Sequence, residues 1–129
     1  MTNTILLVED EEALSSYLIP ELKFEDYQAI IVGPGLSTNE DGRAILKSIL
    51  SLQAVPRVLD ADALNILATM DNWWEEAKGS LILTPHPGEM ARLAGISTSQ
   101  VQEERLSLVR EKAKLWDTTL VLKGAATLV

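Results

Sequence analysis

Four short clusters in this chain carry residue types suited to handling a charged small ligand, and each follows an apolar run. Gly33-Pro34-Gly35 follows Ala29-Ile30-Ile31-Val32, and Asp60-Ala61-Asp62 follows Val58-Leu59. Thr84-Pro85-His86-Pro87-Gly88-Glu89 follows Leu81-Ile82-Leu83, and Lys123-Gly124-Ala125 follows Thr119 to Leu122. Gly33 and Gly35 lack side chains and let a ligand lie on the backbone, although Gly-Pro-Gly is first of all a turn. Asp60 and Asp62 either cap the helix that follows or hold magnesium through water, and Asn65 on the same helix presents an amide. His86 is the single histidine, and a lone histidine is more often structural than functional. Prolines on both sides nevertheless fix its direction, which a hydrogen-bonding role needs. Glu89, three residues on, serves either as a first-turn partner of the helix dipole or as an acid near metal or phosphate. Lys123 either snorkels to solvent or neutralises phosphate as a flexible cation, with Thr127 adding a hydroxyl.

The elements that must position these clusters alternate along the chain. Strands are expected at Ile5 to Val8, Ala29 to Val32, Val58-Leu59, Leu81 to Leu83 and Thr119 to Leu122, with Thr127-Leu128-Val129 opening another. Helical periodicity runs from Asp41 to Leu52 through Ala44, Ile45, Ile49 and Leu52. Further helices are expected over Ala61 to Met70, over Glu89 to Ala94 with Gly95 just past its end, and unbroken from Ser97 to Trp116. A short helical pattern reaches Leu18 behind the acidic run Glu9 to Glu12, which reads as a solvated face. Trp73 and Trp74 read as packing residues and are assigned no chemistry. Strand–helix alternation implies right-handed crossovers and a mostly parallel sheet covered on both faces. The strands are near-continuous apolar runs, as parallel strands buried on both faces are. All four clusters then fall at the carboxyl edge of the sheet, where open α/β sheets bind ligands and helix N-termini offer free N–H groups.

Composition narrows the classes. The 129 residues suit one domain with a real core, and 47% hydrophobic residues argue against disorder. There is no cysteine, which excludes a disulfide framework, a thiolate metal site and a cysteine nucleophile. A formal charge of −8 argues against nucleic-acid binding, which needs a basic face. No apolar run has the length of a membrane span, and Met1-Thr2-Asn3-Thr4 lacks the basic start of a secretory signal. The expectation is a soluble cytoplasmic protein.

Taken together, Val32-Gly-Pro-Gly-Leu36, Val58-Leu-Asp-Ala-Asp-Ala-Leu-Asn65, Leu83-Thr-Pro-His-Pro-Gly-Glu89 and Val121-Leu-Lys-Gly-Ala125 resemble, in order and spacing, the signatures of the NAD(P)H-hydrate dehydratases. The resemblance implies a three-layer α-β-α ribokinase-like fold. It implies a lyase that repairs NADH or NADPH hydrated on the reduced ring. ATP or ADP phosphorylates the added hydroxyl with magnesium, and phosphate then leaves in place of hydroxide. Gly35, His86 and Gly33 map to the hydrated-cofactor site. Lys123, Gly124, Ala125, Ala126 and Thr127 map to the adenine nucleotide. Asp60, Asp62, Asn65 and Glu89 map to supporting positions, with Glu89 near magnesium through water. Ser37 stands where the family usually has glycine. A homo-oligomer and an epimerase, separate or fused, are the partners it implies.

Residues 1–129 do not contain the family's N-terminal region or its Gly-Thr-Gly-Asp segment, which carries the general-base aspartate. The resemblance therefore implies a partial domain with no catalytic residue of its own and no turnover alone. Other readings of the pattern are a ribokinase-like vitamin-precursor kinase, a non-catalytic nucleotide-binding remnant, and a receiver-like signalling domain suggested by Ile5-Leu-Leu-Val-Glu-Asp-Glu-Glu12.

Overall fold

The computed structural model describes residues 5–8, 27–33, 35–36 and 38–129. The acidic run Glu9 to Glu12, the helical pattern through Leu18, Pro34 and Ser37 lie outside the described residues. Five strands form one sheet in the order β1-β2-β3-β4-β5, with every ladder parallel. They are β1 (Ile5–Val8), β2 (Ala29–Val32), β3 (Arg57–Leu59), β4 (Leu81–Leu83) and β5 (Thr119–Leu120). Between them run α1 (Glu40–Leu50), α2 (Asp62–Leu67), α3 (Trp73–Glu76), α4 (Pro87–Ala94), α5 (Thr98–Glu103) and α6 (Arg105–Trp116).

Side chains alternate across a strand, so the register divides the sheet into two faces. Leu6, Val8, Ile30, Val32, Arg57, Leu59, Leu81, Leu83 and Leu120 share one face. Their apolar members meet Ile45, Leu46 and Ile49 of α1, Leu64 and Leu67 of α2, Met90 of α4, Val101 of α5 and Leu108 of α6 in a single core. Sequential strand order with right-handed crossovers puts successive helices on one side, which is why one helical layer holds them all. Ile5, Leu7, Ala29, Ile31, Val58 and Ile82 point the other way and stand apart from that core. Ile5 and Leu7 are 62% and 51% exposed. Trp73, Trp74 and Trp116 pack together, with ring centroids 5.7 Å apart for the first pair and 5.4 Å for Trp73–Trp116.

Local chemistry explains most boundaries. Asn39 caps α1 by accepting from Gly42 N–H at 3.0 Å, and Glu40 and Asp41 suit the positive end of the dipole. Gly95 ends α4 at φ 69, the left-handed position expected of it. Two helices are shorter than their periodicity: α1 stops at Leu50, and α2 spans Asp62 to Leu67 rather than Ala61 to Met70. The helix expected from Ser97 to Trp116 breaks at Glu104, with φ −121 and ψ 28. Its first half begins at a Ser97–Gln100 capping box. The last strand is also shorter than expected. Past it, Val121 N–H still bonds Leu83 O at 2.8 Å and Lys123 N–H bonds Pro85 O at 2.9 Å, while Leu122 between them faces the other way and pairs antiparallel with Leu128.

Candidate functional site

Because the strands are parallel, the ends of β2, β3, β4 and β5 do lie at one edge, as the order of clusters required. Asp60 is the residue around which they gather. Its N–H continues the ladder to Val32 O at 2.8 Å. Its carboxylate Oδ1 accepts from Lys123 Nζ at 3.1 Å, so a residue past β3 and a residue past β5 meet across the end of β4. Lys123 is held from the other side by its own N–H, which bonds Pro85 O at 2.9 Å. Burial pushes the Asp60 carboxyl up. The hydrogen bonds from Lys123, the Ala61 N–H and the Thr84 hydroxyl, with the Lys123 charge, outweigh that and hold it below the ordinary carboxylate value. Both partners stay accessible, the side chains being 43% exposed for Lys123 and 31% for Asp60.

The two glycines after β2 are glycines for different reasons. A Cβ on Gly33 would lie 3.2 Å from Asp60 O and 3.3 Å from Asp60 Cβ, so any side chain there would press on Asp60 by a few tenths of an ångström. Gly35 has φ 84, a left-handed conformation costly for other residues. Neither Asp60 nor Asp62 caps the following helix; Ala61 stands at the N-cap of α2, which has no side-chain cap.

His86 caps another helix, α4. Its Nδ1 accepts from Glu89 N–H at 3.2 Å, while Glu89 Oε1 accepts from His86 N–H at 3.0 Å, a capping box on α4. The imidazole folds back over Gly88, where a Cβ would sit 2.9 Å from His86 Cε1. Nε2 lies 3.5 Å from Glu89 Oε1, and the His86 side chain is 53% exposed. Glu89 is buried in this arrangement. Asp62 and Asn65 join a different set. Asn65 donates weakly to Asp62 Oδ1 at 3.5 Å and accepts from Arg92 Nη1 at 2.8 Å, tying α2 to α4. Gly124, Ala125, Ala126 and Thr127 form the exposed turn between Leu122 and Leu128.

Among the described residues no three His, Asp or Glu side chains converge on a metal position. Asp60 is paired with Lys123 and Glu89 is committed to its cap, so these residues alone do not make a magnesium cage. Magnesium in nucleotide sites commonly relies on phosphate oxygens and water with one or two carboxylates.

Two polar residues escaped sequence reading. Arg57 opens β3 and is fully buried, and Arg105 reaches the Leu122–Leu128 turn from α6. Neither had a signal: one looked like a charged residue beside a short apolar run, the other like mid-helix.

The architecture is a parallel α/β fold, and it matches that of a ribokinase-like superfamily protein of Enterococcus faecalis with TM-score 0.63 and 24% identity over 80% of this chain and 36% of the other. The fold matches a Bacillus subtilis ADP/ATP-dependent NAD(P)H-hydrate dehydratase, co-crystallised with ATP/Mg2+, with TM-score 0.71 and 26% identity. That match covers 96% of this chain and 58% of the other. The NAD(P)H-hydrate dehydratase family matches residues 3–129, and the chain belongs to that family. An ADP-dependent (S)-NAD(P)H-hydrate dehydratase of Neisseria meningitidis is 46% identical over 110 residues, 83% of this chain and 37% of its own length. A bifunctional NAD(P)H-hydrate repair enzyme of Moorella thermoacetica is 42% identical over 107 residues, 83% of this chain and 20% of its own length. The chain thus spans only a fifth to just over a third of these curated relatives. No helix among the described residues is long and apolar enough to cross a membrane.

Proposed function

We propose that this chain forms the central part of a dehydratase domain that restores hydrated NADH or NADPH at the expense of ATP or ADP. The observation that carries this reading is the Asp60–Lys123 bridge, which joins two of the four signatures beside a third at one sheet edge. Lys123 supplies a flexible positive charge next to a turn of small residues, the arrangement a polyphosphate needs. In this reading Lys123, Gly124, Ala125, Ala126 and Thr127 hold the nucleotide, and Gly33, Gly35 and the half-exposed imidazole of His86 face the hydrated nicotinamide. Asp60 presents Lys123, while Glu89 holds His86 through the capping box and Asp62 and Asn65 brace α2 against α4.

Phosphorylating the added hydroxyl turns a poor leaving group into a good one, and magnesium arriving with the nucleotide offsets phosphate charge. The step also needs a base for the hydroxyl proton, and residues 1–129 contain no Gly-Thr-Gly-Asp segment. Deprotonation therefore belongs to the rest of the domain. The same reading places the protein in the cytoplasm, as a homo-oligomer, with an epimerase as partner or fused domain. The bifunctional name of the Moorella relative supports the last of these.

Calorimetric titration of the 129-residue chain with ADP and ATP tests the reading. Binding is expected, weakened about tenfold in Lys123→Ala, the usual order for one charge-assisted contact. Conversion of hydrated NADH by the chain alone is expected to be absent. Failure to bind either nucleotide, or binding indifferent to Lys123, contradicts the reading.

A further inference from the structure

The break at Glu104 gives Arg105 a use that an unbroken helix would not. Arg105 stands at the first position of α6, and its side chain crosses to the turn between Leu122 and Leu128. Nη2 donates to Ala126 O and, at 3.5 Å, to Leu122 O, while Nη1 donates to Gln102 Oε1 at 3.1 Å. Leu122 and Ala126 flank Lys123, Gly124 and Ala125, so one guanidinium grips both arms of the turn. Gly124 makes the space: a Cβ there would lie 3.1 Å from both Nη atoms. The antiparallel bridge it steadies is short, with Leu122 N–H to Leu128 O at 2.8 Å and Leu128 N–H to Leu122 O at 3.0 Å. A turn closed by one bridge is easily opened without a further tie.

We propose that Arg105 is a positioning residue for the nucleotide-binding turn. It locks the two arms so that Lys123 leaves the turn toward Asp60 and the backbone N–H groups after it stay aligned for phosphate. The planar fork is what permits this, since it spans two carbonyls that a single ammonium does not hold in fixed relation. Its charge adds to that of Lys123 at the same turn. The inference rests on the nucleotide reading above, and its test separates the two.

Amide exchange followed by NMR on the 129-residue chain reads the turn directly. In Arg105→Gln the Leu122 and Leu128 amides are expected to exchange about tenfold faster, while Leu46 and Ile49 of α1 keep their rates. Arg105→Lys is expected to resemble Arg105→Gln, and millimolar guanidinium to restore slow exchange in Arg105→Ala. ADP affinity is expected to fall about tenfold in the same variants. Unchanged exchange at Leu122 and Leu128, full rescue by lysine, or faster exchange with undiminished ADP affinity each overturns the proposal. If the unsubstituted chain binds no ADP, the nucleotide reading falls, and the exchange rates alone decide whether Arg105 orders the turn.

Discussion

The two edges of the sheet each carry a cation that ties strands and helices together, and they use it in opposite ways. At the amino edge Arg57 is fully buried. It donates to Ile49 O and Leu50 O, both at 2.7 Å, and to Lys78 O. The first two are carbonyls at the end of α1, where the dipole is negative, and they also accept from Leu52 N–H at 3.2 Å and Lys78 N–H at 3.0 Å. Burial pulls Arg57 below the usual arginine value, and no carboxylate offsets it. Nearby, Gly79 at φ 69 admits Gln53 O to within 2.3 Å of where a Cβ would stand. At the carboxyl edge Lys123 is half exposed and bonded to a side chain that water also reaches. A cation surrounded by backbone is locked into the fold, whereas one held by a half-exposed carboxylate can exchange that partner for a phosphate.

The largest effect that tests this contrast belongs to Arg57→Met. It removes the guanidinium's bonds to Ile49 O, Leu50 O and Lys78 O, the first two keeping only their backbone donors, and the expected loss of stability is about 3 kcal/mol, read from the urea midpoint. A loss below ~1 kcal/mol would mean that the amino-edge cation is as dispensable as a surface one.

Asp60→Asn sharpens the other side and has the smaller effect. Asp60 titrates below its ordinary value in the folded chain. Its contribution is therefore present above the unfolded value and fades as pH falls through the folded one. Solvent screening limits it to about 0.5 kcal/mol at neutral pH. The stability curves of the variant and the parent are expected to converge as pH drops below about 4. Convergence on raising pH instead would reverse the sign of the argument.

How much of this was legible beforehand depends on the kind of signal. The alternation of strands and helices was readable because β-branched apolar runs alternate with helical spacing, and parallel ladders then force the four clusters to one edge. Capping was misplaced. Asp60 and Asp62 had the favoured chemistry, but Ala61, whose φ is 48, stands at the N-cap of α2 with no side-chain cap, while His86 caps α4 with its ring over Gly88. The break at Glu104 was not readable, because Val101, Leu108, Val109 and Trp116 keep apolar residues on both sides of it. Pairing of Lys123 with Asp60, 63 positions apart, depends on the sheet end as a whole and has no local signature.

The most direct measurement of the central claim is an ADP titration followed by NMR with isotope-labelled lysine and backbone nitrogen. The account predicts that the Lys123 side chain and the Gly124 amide shift together, saturably, while Arg57 and Gly79 at the opposite edge stay still. Shifts confined to the amino edge, or none at Lys123 with saturating ADP, would contradict it.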